Sequence, residues 1–153
     1  MEIIGYRNHN DIDVKFENGY VVSSRYNHFQ TGKIENHLHP SIFGVGYLGK
    51  KGVTKSPKEI SNNSKKHCYS VWRGMLKRCY DSDYQTKKPT YIGCSVCKEW
   101  HNFQNFARWY DENYYKIEGE FIHLDKDILV KGNKVYSPET CIFCLLYTSD
   151  AAD

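Results

Sequence analysis

No apolar run in the chain approaches the ~20 residues a membrane span requires. The N-terminal Met-Glu-Ile-Ile-Gly has neither the basic start nor the long apolar segment of a signal peptide. Both absences point to a cytosolic, reducing setting, in which the six cysteines are thiols or metal ligands rather than disulfides. Ligands for a zinc site are also lacking. Cys94-Ser-Val-Cys97 is half of a tetrahedral set, but no second CxxC and no HxxxH closes it, and Cys68, Cys79 and Cys141 are scattered. No βαβ pattern surrounds the pair, as a thioredoxin-type redox site needs, so buried thiols are the favoured reading over Zn²⁺. His37 and His39 stand at alternate positions with no third ligand nearby.

What the chain does have is aromatic side chains and unevenly placed positive charge. Aromatics are 15% of its 153 residues, thirteen of them tyrosine, enough for a core and for surface stacking platforms. That length suits one domain of ordinary size, or a small module joined to a larger one. The net charge is only +3, but residues 51–99 carry eleven Lys/Arg against four Asp/Glu, whereas residues 1–50 balance five against five. The surplus lies where a phosphate backbone could be met.

At its centre is Tyr69-Ser-Val-Trp-Arg-Gly-Met-Leu-Lys-Arg-Cys-Tyr80. Cys68, Trp72, Met75, Leu76 and Cys79 recur at helical spacing and predict one buried face. Arg73 and Lys77 fall four apart on another face, with Arg78 beside them. A helix anchored by aromatics and backed by cations can pack on a core while presenting charge to a polyanion.

The predicted fold class is α+β: a small N-terminal β-meander module over 1–50, a basic linker over 51–66, and an HNH-like helical and hairpin domain over 67–143. In the first module Ile12, Val14 and Phe16 alternate with charged residues as a half-buried strand does, and Glu17-Asn-Gly19 signals a hairpin. Gly32 and the run Gly44–Gly49 predict a second pair of short strands. The linker ends in Lys65 and Lys66. A second helix is expected from Glu99 to Tyr110, its stripe Trp100, Phe103, Ala107 and Tyr110 facing the first helix. Leu124 and residues 128–130 read as strand, residues 131–134 as a hairpin turn, and Ser137-Pro138-Glu139 as the capped start of a helical turn.

Three segments in this order and spacing carry a resemblance. They are Trp72-x-x-Met75-x-x-Arg78-Cys79-Tyr80; Val96-Cys97-x-x-Trp100-x-x-Phe103-x-x-Phe106; and Leu124-Asp-Lys-Asp with Gly132-Asn133 and Tyr136-Ser-Pro-Glu-Thr-Cys141. Together they resemble the phage-encoded HNH-related, homing-endonuclease-associated family, some members of which share features with plant APETALA-type DNA-binding domains. The resemblance implies a nuclease-like ββ-plus-helix hairpin, double-stranded DNA as the partner, and the cytoplasm of a bacterial host as the setting. Phosphate contacts are then expected from Lys65, Lys66, Arg73, Lys77 and Arg78, with Lys126, Lys131 and Lys134 adding charge from the hairpin.

Cleavage would need a divalent metal, Mg²⁺ in this family, and a neutral His to activate water. Active relatives place a His pair or Asp-His pair on the first hairpin strand, where this chain reads Asp125-Lys126-Asp127. Asp125 is the expected metal ligand, and Asn133 stands where the family's Asn orients the hairpin. Lys126 occupies the base position, and with an ordinary pKa of ~10.4 it is protonated at neutral pH. His123, two residues from Asp125 on the same strand face, is the substitute base. The family's third element falls just past Cys141.

The residues from Cys144 to Asp153 look like the translation of a transposase adaptor used in sequencing libraries. The chain is accordingly read as a metagenomic fragment with Phe143 its last authentic residue, and Cys144 is set aside as a ligand. Three functions follow for testing: a phage-type DNA-binding protein with a degenerate HNH-like hairpin, a metal-dependent HNH-type endonuclease, and a non-catalytic protein-interaction module using exposed tyrosines.

Overall fold

A computed structural model describes residues 1–49 and 65–145. Residue 50, residues 51–64 of the expected linker, the Lys65 side chain and the tail from 146 onward lie outside the described residues. The class is α+β, and the chain divides into two compact units, Met1–His39 and Pro40–Asp153. Among the described residues no helix is long and apolar enough to cross a membrane.

The first unit is a three-stranded antiparallel meander of β1 (Glu2–Asn8), β2 (Asp11–Lys15) and β3 (Val21–Ser24), in that spatial order. The alternation read in β2 buries Ile12 and Val14 completely. Gly19 takes φ +86°, the left-handed conformation that lets Glu17-Asn-Gly19 close the β2–β3 hairpin. A short helix α1 (Tyr26–Gln30) follows. On the polar face of the sheet, Arg7 binds Asp11 at 2.6 Å and Asp13 at 2.7 Å, and Ser23 Oγ donates to Asp13 at 2.7 Å. The hydrogen bonds from Arg7 and then Ser23 hold the Asp13 carboxyl well below the ordinary carboxylate range.

The second unit is built on two helices, α2 (Lys65–Tyr80) and, after the short α3 (Ser82–Lys87), α4 (Phe103–Asn113). All five residues of the predicted α2 stripe are buried, with Cys68, Trp72, Met75 and Leu76 fully so. Trp72 Nε1 donates to the carbonyl of Trp100 at 2.7 Å, and its ring lies 5.1 Å from that of Phe103. The second helix differs from the expected continuous Glu99–Tyr110 span. Lys98–His101 forms a 3-10 turn, Asn102 is extended, and its side chain accepts the Gln104 N–H at 3.0 Å, so α4 starts only at Phe103. An Asn N-cap stabilises a new helix start better than a continuous helix would use it.

The run Gly44–Gly49 does not form a pair of strands with the β module. Residues 40–49 belong to the second unit, as a tight turn bridging Ile42 to Gly46 followed by a parallel bridge from Tyr47 to Asn102. The glycines serve close approach: a Cβ at Gly46 would stand 2.9 Å from the Trp72 ring.

Four short strands, in two pairs, complete the unit. β4 (Ser95–Val96) pairs in parallel with β6 (Val135–Tyr136), and β5 (Ile122–Asp125) pairs antiparallel with β7 (Ile142–Leu145). The hairpin thus closes on β7. The expected strand at residues 128–130 is irregular, because that stretch is the connection, and Val135–Tyr136 turns away to β4. Ser137 begins a single helical turn, its carbonyl accepting the Cys141 N–H at 2.9 Å.

Two outcomes test this packing. Trp72→Phe keeps a ring but leaves the buried Trp100 carbonyl without its donor, so urea unfolding should show a loss of about 1–3 kcal/mol; Gly46→Ala should also destabilise. In the first unit, the depressed Asp13 pKa means the ion-pair cluster contributes fully above the unfolded carboxylate range and fades as pH falls through the folded value. Arg7→Gln should move the Asp13 midpoint up toward its ordinary range, read by carboxyl-carbon NMR titration.

Candidate nucleic-acid interface

A second stripe of α2 lines a groove, with Val71 also packed against the core. His67, Ser70, Val71, Gly74 and Arg78 recur at spacings of three and four, and they form one wall of a groove of about 520 Å³. The opposite wall runs from Phe121 to Asp127 along β5 and its exit, and Tyr91 and Tyr136 complete the lining. A Cβ at Gly74 would stand 3.5 Å from a terminal guanidinium nitrogen of Arg78, an ordinary contact.

Arg78 is the half-buried cation of this groove. Its Nε donates to the Tyr136 hydroxyl at 3.0 Å, and the guanidinium lies over the rings of Tyr136 (5.4 Å) and Tyr91 (5.9 Å). Burial pushes the Tyr136 phenol well above its ordinary range, so at neutral pH it is an uncharged hydroxyl. Among the described residues no carboxylate pairs with Arg78. A guanidinium keeps its charge at any working pH and offers a planar fork of donors suited to a phosphate.

His123 and Asp125 project from the same strand. Asp125 Oδ1 accepts the N–H groups of Asp127 (2.7 Å) and Ile128 (2.9 Å), which fixes the exit of β5. His123 Nδ1 is buried without a hydrogen-bond partner, and its Nε2 lies 3.7 Å from Cys144 Sγ directly across the ladder. His123, Asp125 and Cys144 bring donor atoms within 4.8 Å of one another, the one such trio among the described residues. Cys144, which the sequence reading set aside as a ligand, stands in β7 as the third donor of the trio. Cys94 and Cys97 belong to no such group; Cys94 is buried and Cys97 half-buried.

The expected phosphate contacts separate into two sets. Lys66, Arg73, Lys131 and Lys134 are exposed. Arg73 lies 4.9 Å over the Phe43 ring and Lys77 5.5 Å over Tyr84, which steadies both without neutralising them. Lys126 is a correction to the expectation that it adds surface charge. Only 7% exposed, it pairs with Asp127 Oδ2 at 2.8 Å and lies 5.6 Å over the Tyr136 ring. A lysine so enclosed is retained because its charge is matched. Lys131 and Lys134 line a second recess of about 470 Å³ with Asn133, and Lys134 Nζ donates to the Thr90 carbonyl at 3.1 Å.

The remaining motif residues have structural places. Cys97 donates its N–H to Tyr136 O and accepts that of Trp100; Phe103 is core; Ser137 Oγ meets Thr140 Oγ1 at 2.8 Å within the turn containing Pro138 and exposed Glu139. Asn133, expected to orient the hairpin, donates to the carbonyls of Lys126 (3.0 Å) and Val135 (2.6 Å). Sequence reasoning passed over His67, Ser70 and Gly74, although their spacing with Arg78 was a readable second stripe holding two small residues. His67 Nδ1 lies 2.7 Å from Tyr110 Oη, and burial lowers its pKa, so it is a neutral group on the rim at pH 7.

Comparison of the chain with protein-family models, with curated proteins and with solved structures finds no match.

The buried thiols yield a direct check. Burial pushes Cys79 and Cys141 up to about 12. In the folded chain at about pH 8 both should therefore stay unmodified by iodoacetamide and become alkylated in urea, as read by mass spectrometry.

Proposed function

We propose that the second unit binds double-stranded DNA through backbone phosphates, as a phage-type DNA-binding protein with a degenerate HNH-like hairpin. The observation that carries this reading is Arg78: a half-buried guanidinium with no carboxylate partner among the described residues, lining a groove beside β5. An unmatched cation in such a place is costly unless an anion completes it, and a phosphodiester supplies one with the right fork geometry. Exposed Lys66, Arg73, Lys131 and Lys134 on the same unit extend the cationic surface. Phosphate contact confers affinity without base choice, so the reading names no target sequence.

A second reading, a metal-dependent endonuclease, is favoured by the placement of His123 and Asp125 together on β5. Asp125 would hold the metal with His123 beside it, and the metal would stabilise the charge on the leaving oxygen. One carboxylate with substrate oxygens and waters is a donor set Mg²⁺ accepts. Lys126, at the position of the base, is engaged by Asp127 and adds no proton acceptor. A third reading, a protein-interaction module, rests on exposed Ile4, Tyr6 and Val21 of the first unit and requires no DNA binding.

Gel-shift titration on short duplex and on plasmid, at several salt concentrations and with or without Mg²⁺, separates the three. The DNA-binding reading expects a salt-sensitive shift that leaves the plasmid intact. Lys131→Glu with Lys134→Glu should flatten the log–log salt slope by about two contacts, close to 0.9 each. Arg78→Gln should weaken binding about tenfold or more, with Arg78→Lys restoring only part, since a point charge does not replace a fork. Mg²⁺-dependent nicking lost in His123→Ala would promote the nuclease, and no shift even at low salt would leave the interaction module.

A further inference from the structure

We propose that the connection from β5 to β6 is an apolar wedge that enters the minor groove of duplex DNA and partly unstacks a base step; this rests on the DNA-binding reading above. Leu129 and Val130 lie side by side in this connection, 55% and 50% exposed. Single exposed aliphatics are ordinary, but this pair is displayed by a loop closed at both ends. Asp125 Oδ1 clamps the outgoing strand through the N–H groups of Asp127 and Ile128. Asn133 ties the returning strand to the Lys126 carbonyl at 3.0 Å, and its own N–H donates to Val130 O at 3.1 Å. Gly132, at φ +78°, makes the reversal that a side chain would resist. With these bonds in place, the loop shows its two apolar side chains to solvent in a defined geometry rather than folding them inward.

The charge around this tip argues for its occupant. Lys131 follows Val130 directly, and exposed Lys134 stands three residues on beside a recess of about 470 Å³. A short apolar point flanked by cations is the composition of a side-chain wedge: the lysines take phosphates on either side while the aliphatic groups replace part of a base stack. Other occupants fit less well. Two aliphatic side chains bury fewer methylenes than one acyl chain, which by itself holds a bilayer only marginally. They also fall far short of the roughly 800 Å² per partner of a stable protein interface.

The test uses the full chain and short duplexes carrying 2-aminopurine at successive steps, with donor and acceptor dyes at the ends. Binding should raise 2-aminopurine fluorescence and shorten the end-to-end distance. Leu129→Ser with Val130→Ser, at exposed positions, should abolish both signals and weaken binding by about tenfold, leaving the salt slope unchanged. If the wild-type chain shifts the duplex with neither signal, or the variant gives both undiminished, the wedge is overturned and backbone binding stands. If the wild-type chain shifts no duplex at any salt, wedge and DNA reading fall together. Binding to phosphatidylserine vesicles lost in the double variant would then assign the tip to a bilayer.

Discussion

The hydrogen bond from Trp72 Nε1 to the Trp100 carbonyl is the constraint on which the second unit hangs. It joins the middle of α2 to the turn preceding α4 in a place water does not reach, where an unmatched carbonyl is expensive. With the indole pinned, Gly46 must stay small to lie against it, and the Tyr47 strand segment is drawn into register with Asn102. The same bond faces the Cys68–Trp72–Leu76 side of α2 toward the core, leaving the His67–Arg78 stripe to line a groove. Helix rotation about its axis is thus settled by one buried donor, and the location of the groove follows from it.

Among the described residues of this unit, four cations lie over aromatic rings. Arg78 and Lys126 lie over Tyr136, Arg78 also over Tyr91, Lys77 over Tyr84 and Arg73 over Phe43. Ring faces position a cation without cancelling its field, whereas an ion pair does both. In the first unit Arg7 is matched by Asp11 and Asp13, and in the second Lys126 is matched by Asp127. The tyrosine-rich composition is therefore part of the electrostatics and not only of the core.

Much of this was legible before any coordinates. The period of α2 and the alternation of β2 announced their buried faces, because each depends only on residues a few positions apart. The break at Asn102 was missed because Trp100, Phe103, Ala107 and Tyr110 keep helical spacing across it, and only the cap geometry reveals two elements. Gly44–Gly49 misled for a different reason: glycine marks a reversal or a close approach equally well, and which applies is decided by Trp72, far along the chain. The β5–β7 pairing was hidden because its second strand runs into a stretch set aside as foreign. Lys126 looked like surface charge since its ring partner, Tyr136, lies ten residues on and only the fold brings them together.

The last described strand has a further significance. Phe143 packs on Trp109, Tyr110 and Tyr114 at 5.2, 5.5 and 5.2 Å, so β7 closes the aromatic face of α4, while β6 reaches back to β4 in a parallel pairing. Those partners are separated by some thirty or forty residues of chain, and such contacts form late because loop closure must precede them. A nascent chain that has released α2 and α4 but not residues 135–145 exposes a sheet of tryptophan and tyrosine rings with nothing to cover it. Until residues 135–145 have been made those rings lack the cover that Phe143 gives them, an interval in which chaperones act.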